Sequence, residues 1–147
     1  MLPSEYLEKI CRPLFDEFER EPATMHRAWA AIVALAHFAD YLARSRNIRI
    51  CDARKEVSSS FPNFDLITDI ANASKHVVLD RGGRKREGYS VENIQSGPEA
   101  AFTDGTYFSD NTAFSDAKIV LVSNFNEEQV DLVHLCSSCL TSLTRLT

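Results

Sequence analysis

Apolar side chains recur every four positions near the start of the chain, at Tyr6, Ile10, Leu14 and Phe18. Glu5, Glu8, Lys9, Asp16, Glu17 and Glu19 fill the positions between them. That alternation predicts an amphipathic helix over residues 4–20, one face on a core and the other in water. Pro13 falls inside it, where a missing N–H and a bulky ring predict a kink or a split near Cys11.

Pro22 breaks the pattern, and Thr24 stands where a helix cap belongs. The next helix is expected to run to about Arg46. Between Ala28 and Leu42 it is apolar nearly all round, with Trp29, Ile32, Val33, Leu35 and Phe38 set among six alanines. A helix without a polar face belongs at the centre of a fold. Residues 47–61 are mixed: Ile48, Ile50 and Cys51 can seed a short helix, and Ser58-Ser59-Ser60 reads as loop. Pro62 suits the first turn of a third helix, which should run to about Leu79 and end at Gly82-Gly83.

The texture changes after Gly83. Tyr89, Val91 and Ile94 suggest a strand that Gly97-Pro98 interrupts. Phe102 to Phe108 suggests a second, and the run Ile119-Val120-Leu121-Val122 is the clearest of the set. A last helix is expected from Asn124 or Asn126, where Asn126 and Gln129 have capping-box spacing, through Val130, Val133, Leu135, Leu140 and Leu143. The expected architecture is one domain over residues 1–147, α+β but mostly α. It is a bundle of about four main helices, from residues 1–80 and 124–147, with a small antiparallel β-meander at about 87–123 inserted before the C-terminal helix.

Length and composition fit that picture. A chain of 147 residues can bury roughly two-thirds of its unfolded surface without staples. The net charge of −5 argues against a surface built wholly for nucleic acid but allows a local basic patch. The chain opens Met1-Leu2-Pro3-Ser4-Glu5, with no basic segment leading into an apolar run, and no apolar stretch reaches membrane-spanning length. A cytoplasmic location without membrane partners is the expectation, with Cys11, Cys51, Cys136 and Cys139 as reduced thiols. The apolar faces of the last helix suggest a homodimer seam.

Candidate chemistry lies where polar groups interrupt the two most apolar helices. At about 100° per residue, His26, Ala30, Val33, His37, Asp40 and Arg44 form one stripe on the second helix. Asp65, Asp69, Asn72 and His76 form a matching stripe on the third. Apolar faces flank each, so the stripes are expected to be partly enclosed. If the helices pack antiparallel, Asp40 and Asp69 each lie about 9 Å from the same end, at about 1.5 Å per residue. His37 then falls near Asn72, with His76 further down. Such a cluster can fix helix packing, since a buried polar group must be satisfied. It can equally work as general acid and base with a carboxylate holding the ring, hold a metal, or recognise a polar ligand. No nucleophile elbow, P-loop or dinucleotide fingerprint is present, and no cofactor is implied.

Arg81, Arg84, Lys85 and Arg86 crowd four cations just after His76, placed to hold phosphates or simply to favour a helix C-terminus. Cys136-Ser137-Ser138-Cys139 has CxxC form, but lies mid-helix without a second ligand pair, which predicts core thiols rather than zinc or redox chemistry.

The segment Asp69-Ile70-Ala71-Asn72-Ala73-Ser74-Lys75-His76, with a polar residue shortly before a histidine near a helix end, resembles the HEPN superfamily of small helical bundles. It is also similar to stretches of small uncharacterised bacterial proteins. In the family's motif an arginine precedes the histidine by some four to six residues; here Asp69, Ile70 and Ala71 occupy that place. The resemblance implies a frequently dimeric protein acting on RNA or a nucleotide, as a metal-independent ribonuclease or an inactive binder. His76 would be the acid/base or phosphate contact. Asn72 and His37 would orient it, Asp40 would set the tautomer with Asp69 close by, and Arg81, Arg84, Lys85 and Arg86 would hold the backbone. The alternative is a non-enzymatic structural or interaction protein whose polar cluster fixes helix packing.

Overall fold

A computed structural model of the chain describes residues 1–73, 94–98, 118–123 and 129–147. The described part is mostly helical. Helix α1, Pro3–Tyr6, passes through a single wide turn, Leu7–Cys11, into α2, Arg12–Arg20. Pro13 explains the wide turn. It has no N–H for the Lys9 carbonyl, and in a regular helix its ring would strike that oxygen. The chain instead forms a π turn, in which the Arg12 N–H reaches back five residues to the Leu7 carbonyl. The expected split near Cys11 is thus a local widening.

Helix α3, Met25–Arg46, is the long apolar element the sequence predicts. Thr24 holds the N-cap position, but its hydroxyl donates to Glu21 rather than capping. At the other end Asn47 takes a left-handed conformation, φ 52°. The Ile48 N–H then reaches the Ala43 carbonyl at 3.0 Å, the bond that closes a helix end when an amide side chain or glycine tolerates this geometry.

Helix α4, Ile50–Ser60, corrects the expectation of a loop at Ser58-Ser59-Ser60. Ala53 and Val57 are buried at four-residue spacing, and Phe61 follows four later; this anchor outweighs the serines' weak helix preference. The hydroxyls also find partners, Ser59 on the Lys55 carbonyl and Ser58 on Asp65. Helix α5 is described over Phe64–Ala73; its expected continuation to Leu79 lies outside the described residues.

Strands β1, Ile94–Pro98, β2, Lys118–Ser123, and β3, Gln129–Asp131, pair antiparallel in that order, with Gly97 opposite Ile119 and Val122 opposite Val130. Most of the segment expected as a meander, about 87–123, lies outside the described residues. Helix α6, Leu132–Thr144, starts later than the Asn126–Gln129 spacing suggests. Its cap is Asp131, whose carboxylate accepts from the Val133 and His134 N–H groups at 2.8 and 3.2 Å. An acidic cap satisfies two orphan donors and favours the positive end of the helix dipole.

α3 packs against α1, α2, α4, α5 and α6. Its fully buried Ile32, Leu35, Phe38 and Leu42 meet Leu7, Phe18, Phe64, Ile67, Leu132 and Leu143 from the surrounding elements in one core. The leucines of α6 point into that core, while His134, Thr141 and Thr144 face outward.

Tyr6 ties α1 to α3, donating its hydroxyl to the Ala34 carbonyl at 3.0 Å. Burial, aided by Cys11, Tyr41 and Asp40, holds the phenol's pKa well above its ordinary value. Burial likewise pushes the Cys11 thiol up to about 12 and raises Cys136 and Cys139.

Two outcomes follow from these buried protons. Because thiolates are the reactive form, only the exposed Cys51 should react quickly with a disulfide reagent in the native protein. Cys11, Cys136 and Cys139 should appear only after denaturation, so rapid native titration of more than one thiol would contradict the burial. The second concerns alkaline stability. Folding raises these pKa values, so the unfolded chain loses its protons first and gains the advantage as pH rises. The melting temperature should hold to about pH 9, the ordinary thiol value, and fall from there toward about 12. Tyr6→Phe should cost about 1 kcal/mol near neutrality through the lost hydrogen bond, yet decline less steeply above about pH 10, the ordinary phenol value. An unchanged slope would remove Tyr6 from the effect.

Candidate functional site

The stripe His26, Ala30, Val33, His37, Asp40 and Arg44 does lie along one side of α3, but it is not enclosed. His26, His37 and Arg44 are exposed, and the other three are half-buried. Among the described residues no polar or charged side chain is fully buried. The neighbouring helices cover the alanine, leucine and phenylalanine side of α3, where apolar area is removed from water. The ionisable side chains keep the remaining strip, where hydration is retained. On α3, then, the enclosure is only partial, with Asp40 half-buried beside an exposed His37.

Within the strip one contact is well formed. His37 Nδ1 lies 2.9 Å from Asp40 Oδ2, with side-chain exposures of 46% and 36%. Three residues is a natural helical pairing distance. The ionised carboxylate can only accept, so the bond requires a proton on Nδ1, and the neutral ring then keeps its lone pair on Nε2. Asp40 thereby fixes both the tautomer and the orientation of a solvent-reachable imidazole. The next residue, Tyr41, stacks on Tyr6 with ring centroids 3.8 Å apart and planes within 16°. This stack buttresses the turn of α3 that carries the pair.

α5 packs on α3, and its Asp69 and Asn72 are half-buried. His76 and the run Arg81, Arg84, Lys85 and Arg86 lie outside the described residues. The structure therefore joins His37 to Asp40 directly and sets the helix bearing Asp69 and Asn72 against theirs. Among the described residues no group of three or more His, Cys, Asp or Glu side chains is arranged to hold a metal ion. No described helix is long and apolar enough to cross a membrane.

A second polar feature was not singled out in the sequence. Residues 44–56 hold Arg44, Arg46, Arg49, Arg54 and Lys55 against Asp52 and Glu56, a balance of +3 in a chain of −5. Two of these cations are engaged. Arg49 makes a two-point contact with Asp52. Arg46 pairs with Glu56 and also donates to the Leu146 carbonyl at 3.1 Å. The signal was a local excess of arginine, diluted because its members span a helix end, a turn and the next helix.

No protein-family model, curated protein or solved structure matches the chain.

Proposed function

We propose that this protein binds or cleaves RNA or a nucleotide through the face of α3 that carries His37 and Asp40. The observation that supports this reading is the pair itself, bonded at 2.9 Å and open to solvent. An imidazole held by a carboxylate, with Nε2 free, is equipped to take a proton from a ribose hydroxyl or to return one to a leaving oxygen. His37 is then the acid/base group and Asp40 the positioning residue. Asn72, Asp69 and His76 would supply further contacts from the third helix, and Arg81, Arg84, Lys85 and Arg86 would hold phosphates. No step in this scheme calls on a cofactor.

The same proposal takes the segment of about 87–123 as an antiparallel meander outside the bundle, and the protein as a homodimer in the cytoplasm. With the α6 leucines turned into the core, the dimer seam would have to use another surface.

The test is a panel of single-stranded and hairpin RNAs and free nucleotides, assayed for cleavage and for binding. If cleavage occurs, His37→Ala should lower its rate about 100-fold or more, the usual contribution of a positioned acid or base. Asp40→Asn should lower it less and shift its pH profile. If the protein only binds, His37→Ala should weaken binding while the melting temperature stays near wild type, since the side chain is exposed. A folded wild-type protein that neither binds nor cleaves any member of the panel would end this reading.

A further inference from the structure

Tyr41 directly follows Asp40 and is half-buried. Its ring stacks on that of Tyr6, with centroids 3.8 Å apart. Among the described residues no hydrogen bond reaches its hydroxyl, and no side-chain oxygen without a partner is sealed from solvent. The phenol oxygen therefore meets water while the ring beneath it is held.

Several contacts set this phenol against the turn that carries His37. Tyr41 is four residues after His37, about 40° around the helix and about 6 Å along it. Helical side chains lean toward the N-terminus, so each covers the turn before its own. Asp40 does so, reaching back to His37 at 2.9 Å. Tyr6 shows that Tyr41 does the same. Its hydroxyl bonds the Ala34 carbonyl, about two turns before Tyr41, while its ring lies face to face with the Tyr41 ring. The stacked rings thus run along α3 between Ala34 and Tyr41, and His37 sits in the middle of that stretch. Asp40 is near enough to the stack to help raise the pKa of the Tyr6 phenol.

The two phenols differ in use. Tyr6 is buried and its hydroxyl is committed to the main chain. Tyr41 has the same ring support with its hydroxyl unengaged. Packing alone does not account for that oxygen, since phenylalanine would stack as well. We infer that the Tyr41 hydroxyl donates a hydrogen bond to a non-bridging phosphate oxygen of the RNA or nucleotide that His37 serves. The inference rests on the reading given under Proposed function and deepens it, giving the site a phosphate contact on α3 itself. The phenol keeps its proton, and the proton transfers belong to His37. If charge builds on the phosphate oxygen during cleavage, the bond strengthens, and a donor already held in place lowers the barrier.

The experiment compares wild type with Tyr41→Phe on the same panel of RNAs and free nucleotides. Phenylalanine keeps the ring and its stack, so the melting temperature should stay near wild type. If the wild type cleaves, kcat should fall about 10- to 100-fold, the worth of a hydrogen bond to a charged group. KM should change less, and the pH profile set by His37 should not move. If the wild type only binds, affinity for the bound RNA or nucleotide should fall about 10-fold. A nucleoside without phosphate should bind both proteins alike. A folded Tyr41→Phe with wild-type kcat and affinities overturns the inference and leaves the functional reading standing, with Tyr41 a buttress only. So does a melting temperature that falls along with activity, which assigns the hydroxyl to the fold. An equal loss for the nucleoside also overturns it, because the contact is then to base or sugar. If the wild type neither cleaves nor binds any member of the panel, both the inference and the reading fall.

Discussion

Everything described in this fold depends on how closely other helices can approach α3. Ala28, Ala31, Ala34, Ala36, Ala39 and Ala43 are buried along it, and each presents a single methyl group where a larger side chain would hold a neighbour away. The larger residues Ile32, Leu35, Phe38 and Leu42 interdigitate from between them. Small and large positions alternating on facing surfaces allow packing at interior density without strain. One 22-residue helix can thus take five others around it. The Tyr6 hydroxyl illustrates how tight the approach is, since it reaches the main-chain carbonyl of Ala34 directly.

A helix so heavily covered has little surface left over, and that constraint gives the His37–Asp40 strip its character. The side chains there were never available to the core, because the methyl-rich side of α3 offers the greater gain in buried area. Being uncovered, the imidazole can meet a ligand; being on a helix with buried neighbours on both sides, it has a fixed base. A rigid mount with an open Nε2 is the combination that acid–base chemistry and phosphate recognition both require.

The sequence made some of this legible and not the rest, for identifiable reasons. The centrality of α3 could be read from its composition, because no other segment lacks a polar face. Three-residue spacing put His37 and Asp40 on one face of α3, while their direct bond emerged only in the structure. What periodicity could not supply was which stripe would be covered: it assigns residues to a common face but says nothing of what packs there, and the polar stripe proved to be the open one. Ser58-Ser59-Ser60 misled because local preference was overruled by Ala53, Val57 and Phe61 in the core. The start of α6 was misplaced because Asn126 and Gln129 have the right spacing, whereas Asp131 has the actual pair of backbone donors. The Arg46 brace stayed hidden because it joins Arg46 to Leu146, a hundred residues along the chain.

A helical carboxylate has a choice of cations three and four residues away, and either His37 or Arg44 could claim Asp40. An arginine is always charged and would ordinarily be the stronger partner. Yet Asp40 turns to His37 at 2.9 Å, while Arg44 stays exposed without an ion pair among the described residues. One choice settles two roles. The imidazole gains a fixed tautomer, and the guanidinium stays open to solvent. Had Asp40 taken Arg44, the helix would have gained a surface ion pair worth at most about 0.5 kcal/mol, and the imidazole would have lost the carboxylate that fixes its tautomer.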